Sequence, residues 1–194
     1  MSDLARTTRI VIISGTNRAG SQTRRLSGCI QGLYAAAEGV EVELLDLCLL
    51  PAALLSPDAY RNKPADFAPF ADAVLRADGL VVVCPEYNGG PPGALKLFID
   101  MLPFPVAFER RPVAFVGLAA GRWGALRAVE QLQGVFGYRN ALMFPNRVFI
   151  PAVGEALGVD GAPHDPALLA MLTKQVHDFV LYSRQVAPLR VPQA

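Results

Sequence analysis

Two glycine-containing loops hold the residues of this sequence whose types and spacing could do chemistry. The first reads Ser14-Gly15-Thr16-Asn17-Arg18-Ala19-Gly20-Ser21-Gln22-Thr23 and runs into a segment of helical periodicity. A helix N-terminus offers unpaired amides and a partial positive charge, both suited to an anion. Thr16, Ser21 and Thr23 add hydroxyls, Arg18 adds a charged fork, and Gly15 and Gly20 let the backbone approach closely. The simpler alternative is a glycine turn in which Ser21 does no more than cap the helix. The second loop is Pro85-Glu86-Tyr87-Asn88-Gly89-Gly90-Pro91-Pro92-Gly93-Ala94-Leu95-Lys96, with Asp100 one turn further on. Polar Glu86 and Asn88 flank an aromatic, and the glycines and prolines hold the backbone on one path. Main-chain amides could then reach the edge of a heterocycle while Tyr87 supplies a flat apolar surface. A rigid strand-to-helix turn is the competing reading.

The kind of anion follows from what the first loop lacks. Gly15 and Gly20 are spaced like the glycine pair of a nucleotide P-loop, but Ser21 stands where the essential lysine belongs. Nor does the loop contain G-x-G-x-x-G, so a tightly held dinucleotide pyrophosphate fits badly. Hydroxyls with a single arginine suit a terminal monophosphate such as that of FMN.

The elements that must position these loops alternate between β-branched runs and helical periods. Residues 9–14 read as a strand buried on both faces; Leu26, Ile30, Leu33 and Ala37 mark a helix that stops near Gly39. Residues 40–46 alternate, as a peripheral strand does, and a proline-containing loop follows to about residue 65. Phe67, Phe70, Val74 and Leu75 mark a second helix, and 79–85 a fully apolar strand. A helix opens after Pro91–Pro92, carries Leu95, Phe98, Ile99 and Leu102, and breaks at Pro103 and Pro105. Residues 112–118 form a fourth strand. A helix on Leu126, Val129, Leu132 and Phe136 leads to a fifth strand near 141–150. Residues 151–164 read as loop, and Asp165–Pro166 starts a last helix on Leu169, Leu172, Val176 and Phe179. This alternation predicts one α/β domain over residues 1–194, a parallel sheet with helices on both faces. Ligands in such sheets bind beyond the carboxyl ends of the strands, where strand order reverses. Those places follow residues 14, 84 and 118. The last opens Leu118-Ala119-Ala120-Gly121-Arg122-Trp123-Gly124, small residues that let a ring approach the backbone. Trp123 reads as a core or interface anchor at least as readily as a contact for such a ring, and Arg122, which could pair with a nucleotide phosphate, reads more readily as a solvated surface residue.

Composition narrows the class. With 194 residues and a net charge of +1, nothing favours nucleic acid or a membrane surface as partner. The apolar fraction of 52% points to a covered sheet, self-association, or both. Cys29, Cys48 and Cys84 form no CxxC pair and sit in apolar surroundings, so reduced buried thiols in a cytoplasmic protein are expected. His164 and His177 lack metal-ligand spacing, so no metal is expected. The N-terminus is polar up to Arg9, unlike a signal peptide, and no apolar run is long enough to cross a bilayer. A phospho-receiver needs Asp at the end of the third strand, where Cys84–Pro85 stands.

Arg18 and Ser21 after the first strand, followed by PEYNGGPPGALK and Asp100, resemble the NAD(P)H-dependent FMN reductase family. Its second motif is similar to P-E-Y-N-x-x-x-P-G-x-L-K-N-x-x-D. The likeness runs from about residue 8 to 150 and includes Asp46 and Leu50–Pro51. Two departures stand out: Leu97 in place of the Asn after the lysine, and Pro103 and Pro105 where a Trp-containing stretch is common. The resemblance implies a flavodoxin-like three-layer fold with strand order 2-1-3-4-5, bound FMN, and reduction of flavins, quinones, azo compounds or metal oxyanions by NADPH or NADH. Carried over by position, Arg18, Ser21 and Thr23 hold the phosphate with Thr16 and Gln22 nearby. Pro85, Glu86, Tyr87 and Asn88 line the flavin ring with the backbone of Gly89 and Gly90, and Ala119 and Gly121 belong to the third flavin-side loop. The implied mechanism passes hydride from nicotinamide C4 to flavin N5 and then electrons to a small-molecule acceptor. The cofactor performs that chemistry, so no indispensable acid or base is expected. An FMN-binding electron carrier without nicotinamide reactivity is the main alternative, and a non-catalytic interaction protein that keeps the fold without a cofactor is a second, disfavoured by Arg18, Ser21 and the PEYN segment. Phe98, Phe104 and Phe108 suggest a self-association surface, and a homodimer or homotetramer is expected.

Overall fold

A computed structural model describes residues 7–189; the polar N-terminal stretch read above lies outside the described residues through residue 6. Strand β1 (Thr8–Ser14) leads into helix α1 (Gln22–Ala35), then β2 (Val40–Asp46), α2 (Ala68–Arg76), β3 (Gly79–Pro85), α3 (Gly93–Met101), β4 (Pro112–Leu118) and α4 (Leu126–Tyr138). Two short strands, β5 (Leu142–Met143) and β6 (Val148–Ile150), one turn of helix α5 (Val153–Ala156) and the long α6 (Pro166–Val186) complete the chain. The strands pair in parallel in the order β2-β1-β3-β4-β5, with β6 also on β4. This is the flavodoxin-like order, and β2, the alternating strand, is its edge.

Side chains along each strand point alternately to the two faces. Val11, Ile13, Leu80 and Val82 pack under α2, α3 and α4, joined by Phe98, Leu132 and Phe136. Ile10, Ile12, Val81 and Val83 pack under α1 and α6, against Leu26, Ile30, Val176 and Phe179. Strands β3 and β4 are buried along their whole length, which is why they read as continuous apolar runs.

Five sequence expectations need correction. The strand expected over 141–150 is broken in two: Pro145 lacks the N–H a continuous ladder needs, and each fragment pairs separately with β4. Helix α1 ends at Ala35, so Ala37 falls outside it and the inward position is taken by Tyr34. The thiols are not uniformly buried. All three are free, but Cys48 is exposed on the short turn after β2 and Cys29 only half-buried. Phe98 and Phe108 lie wholly in the core, leaving Phe104 as the only one of the three aromatics on the surface. The segments expected as loops, from the end of β2 to about residue 65 and over 151–164, also contain short helical turns.

Two local devices set the carboxyl end of the sheet. Gly15 leaves β1 with its amide on the Val83 carbonyl at 2.9 Å, and a Cβ there would stand 2.6 Å from that same oxygen. Only glycine allows the first loop to cross β3 so closely. Arg111, 1% exposed at the entry to β4, donates Nε to Ala107 O at 2.6 Å, Nη2 to Leu75 O at 3.2 Å and Val106 O at 3.3 Å, and Nη1 to Ala77 O. One buried guanidinium thereby fastens the end of α2 and the turn after α3 to the central sheet.

Both devices predict stability effects. Arg111→Met, which strands several buried carbonyls, should cost about 3–5 kcal/mol in urea unfolding; a loss below about 1 kcal/mol would show the guanidinium to be dispensable. Gly15→Ala should cost about 1–3 kcal/mol through a clash with immobile backbone. An unchanged unfolding midpoint would contradict the close approach.

Candidate functional site

Parallel register brings three loops to one edge. Ser14 pairs with Val83, Cys84 with Gly117 and Pro85 with Leu118, so β1, β3 and β4 end level with one another. The loops that follow enclose a cleft of about 430 Å³. Its walls are residues 18–23 at the start of α1, Pro85–Tyr87 after β3, Leu118–Ala120 after β4, and Val153 of α5.

The first wall leaves hydrogen-bond donors free. Ser21 caps α1, its Oγ accepting from the Arg24 amide at 3.2 Å, and its carbonyl accepts from the Arg25 amide at 3.3 Å. Among the described residues, no protein acceptor faces the amides of Gln22 and Thr23. No acidic residue sits in the first turn of α1 to compete for them. Arg18 lies exposed at the mouth without a carboxylate partner among the described residues. Thr23 is 2% exposed, at the cleft floor. Ser21 is thus both cap and cleft wall, and the two readings of it are compatible.

The second wall is held from three sides. Tyr87 donates to or accepts from Thr16, hydroxyl to hydroxyl, at 2.8 Å, and the Arg18 amide donates to the same Thr16 oxygen at 3.2 Å. Thr16, 1% exposed, therefore braces the two loops together and lies behind the cleft wall. Asn88 and Gly89, at φ 51° and 78°, form a two-residue turn closed by mutual Tyr87–Gly90 backbone bonds at 2.9 and 3.1 Å. Asn88, Gly89 and Gly90 accordingly shape the wall from outside the cleft. Helix α4 supplies the third support. Arg127 Nη1 donates to Glu86 Oε1 at 3.3 Å, and Gln131 Nε2 to Gly89 O at 3.0 Å. These two α4 residues escaped the sequence reading, although polar side chains four apart share one helix face and signal a common neighbour. Val153 was missed too, since nothing distinguishes it within its loop.

Glu86 is 14% exposed, and its Oε2 is shut from solvent with no donor. Gln22 Oε1 is in the same condition. Cys84, directly behind Glu86, is fully buried, and burial, with a smaller contribution from the Glu86 charge, pushes its thiol well above the usual range. The thiol stays protonated, donates to Pro85 O at 3.2 Å, and is no nucleophile. On the third loop Ala119 lines the cleft, whereas Gly121 lies one step beyond its wall. Among the described residues no group of three or more His, Cys, Asp or Glu could hold a metal, and no helix is long and apolar enough to cross a membrane.

Free amides and a guanidinium face one part of the cleft, while two unsatisfied acceptors lie along its walls. A ligand bearing both an anion and N–H or O–H donors completes both sets. The phosphate, ribityl hydroxyls and imide N–H of FMN meet that description.

Comparison with known proteins bears on the same loops. The chain is 29% identical over 184 residues to the NAD(P)H-dependent FMN reductase PA1204 of Pseudomonas aeruginosa, covering 92% of this chain and 96% of that one. It is 29% identical to the 2-hydroxy-1,4-benzoquinone reductase of a Burkholderia species, over 70% of this chain and 73% of the other. The solved structure of FerB, a flavoenzyme NAD(P)H:(acceptor) oxidoreductase from Paracoccus denitrificans, superposes with a TM-score of 0.76 at 26% identity, covering 92% of this chain and 98% of that one. Residues 8–155, from the first strand through the cleft-lining turn of α5, match the family of NADPH-dependent FMN reductases. The chain belongs to that family: it is a flavodoxin-like oxidoreductase that works with FMN and NAD(P)H.

Proposed function

We propose that the protein seats the FMN phosphate on the N-terminus of α1 and Arg18, lays the ring along Pro85–Tyr87, and reduces a small planar quinone or azo compound at the expense of NAD(P)H. The observation that carries this reading is the pair of unsatisfied amides at Gln22 and Thr23, opening into a cleft whose far wall is the Pro85–Tyr87 segment. FMN, held there, would supply the redox chemistry, a two-electron exchange between the nicotinamide and the acceptor. The overall reaction, NAD(P)H plus quinone plus a proton to NAD(P)+ plus hydroquinone, balances without a further reactant.

The protein's own part is placement. Ser21 fixes where α1 begins and hence where its amides point. The Thr16–Tyr87 bond sets the distance between phosphate seat and ring wall. Arg127 and Gln131 hold the second loop against α4, and the small Ala119 and Ala120 leave room for a ring and its substrate. No side chain moves a proton in this scheme, in keeping with a Cys84 thiol that burial holds neutral.

A homodimer or homotetramer completes the proposal. A groove of about 720 Å³ runs between α3 and α4 from Gln131 to Phe104. Phe104 and Tyr138 stand 70% and 79% exposed on its rim, and Lys96 pairs with Asp100 at 2.8 Å beside them. Opposite charges on one helix can cross-pair with a two-fold copy, and exposed aromatics suit the centre of such a contact. A cytoplasmic setting agrees with three free thiols.

The test is binding by quenching of flavin fluorescence. FMN should bind at least about 100-fold more tightly than riboflavin, and Arg18→Ala should remove about tenfold of that difference while leaving riboflavin unchanged. Equal affinity for the two flavins would remove the phosphate seat. For the assembly, sedimentation should give at least twice 20.8 kDa, falling to that mass in the Phe104→Ser, Tyr138→Glu double variant. A wild-type protein that already sediments at 20.8 kDa contradicts it.

A further inference from the structure

The FMN reading uses Arg18 and the amides of α1, and leaves a second cation at the cleft's edge unassigned. Arg122 follows the cleft-lining Ala120 by two residues, so their Cα atoms lie no more than about 7.6 Å apart. It is exposed, and among the described residues it has no carboxylate partner. Its guanidinium lies over the ring of Trp123, 4.6 Å from the centroid. Trp123 is itself 47% exposed, although tryptophan is usually among the more buried side chains.

This pair stands on a fixed loop. Ala119 N bonds Ile150 O at 3.0 Å, Gly124 N bonds Gly121 O at 3.3 Å, and Leu126 N bonds Trp123 O at 3.0 Å. Gly124, at φ 56°, is pressed against the Phe149–Ile150 backbone, where a Cβ would come within 2.8 Å of Ile150 N. Backbone so constrained presents Arg122 and Trp123 in a set orientation. The ordering cost of binding there is correspondingly small.

An indole face stacks on a purine, and a guanidinium fork recognises a phosphate monoester. The two nicotinamide donors share the adenine and differ by one 2′-phosphate on its ribose. We infer that Arg122 and Trp123 form the adenosine seat of the nicotinamide donor, with Trp123 stacking on adenine and Arg122 selecting the 2′-phosphate of NADPH. Arg122 is then a specificity-determining residue. It acts on donor binding and leaves the redox step to the cofactor. This inference rests on the FMN reading for the donor's other end, but its own test does not require turnover.

Trp123 is the only tryptophan of the chain, so its fluorescence reports on this site alone. Adenosine 2′,5′-bisphosphate titrated into the FMN-loaded protein should quench it saturably, about tenfold more tightly than 5′-AMP. Arg122→Gln should abolish that difference and lower the NADPH-over-NADH ratio of kcat/KM about tenfold, the loss residing in KM. Arg122 is exposed, so the variant should fold as the wild type does. Equal binding of the two nucleotides, a silent Trp123, or an unaltered donor ratio in Arg122→Gln would overturn the assignment. Retention of the flavin band in each sample is read separately: its absence counts against the FMN reading, while the Trp123 titration decides this one.

Discussion

The site depends on how closely the first loop can pass over the third strand. Gly15 donates its amide to Val83 O, and a methyl group at that position would overlap the oxygen. That contact turns the chain across the sheet where β1 and β3 end level, so the start of α1 and the Pro85–Tyr87 segment face each other across one cleft. The Thr16–Tyr87 hydroxyl pair then locks the two loops from behind. Neither loop makes a site alone. The first offers donors to an anion, the second a wall for a ring, and the parallel register joins them.

The second constraint is electrostatic. One guanidinium, that of Arg18, and free amides gather at the α1 end of the cleft, and the one acidic group in its lining, Glu86, is held by Arg127 of α4. With Arg127 58% exposed, that pair is screened and contributes little to stability. Its consequence is positional, since it ties the second loop to a helix that also flanks the α3–α4 groove. The cleft, the groove and the β4–α4 loop therefore share α4 as a common support.

Much of this was legible in the sequence because the relevant signals are local. Continuous apolar runs mark β3 and β4, whose burial on both faces is complete. Glycines and hydroxyls placed just before a helical period mark the cleft loop that leads into α1. What stayed hidden depends on distant packing. Pro145 interrupts the fifth strand, but its two halves keep their places only because β4 accepts each separately. Arg111 carries no mark of burial in the sequence; the end of α2 and the turn after α3 surround it with carbonyls only in the fold. Phe98, Phe104 and Phe108 look alike in sequence, yet two fill the core and one faces solvent. By position the sequence puts Thr16 near the phosphate and Asn88, Gly89 and Gly90 at the ring; in the fold Thr16 braces the wall from behind and the other three shape it from outside the cleft, while Arg127, Gln131 and Val153 take part from elements that carry no motif.

The central claim is that one cleft passes electrons from a nicotinamide to a small acceptor through bound FMN. Its most direct test is a two-stage anaerobic spectrum: NADPH is added to the FMN-loaded protein, and excess donor is removed before a benzoquinone is supplied. The account predicts that the flavin band bleaches at a rate saturating with NADPH and returns in full on addition of quinone. A bound flavin that stays oxidised in the presence of both NADPH and NADH would contradict it and leave an electron carrier in its place.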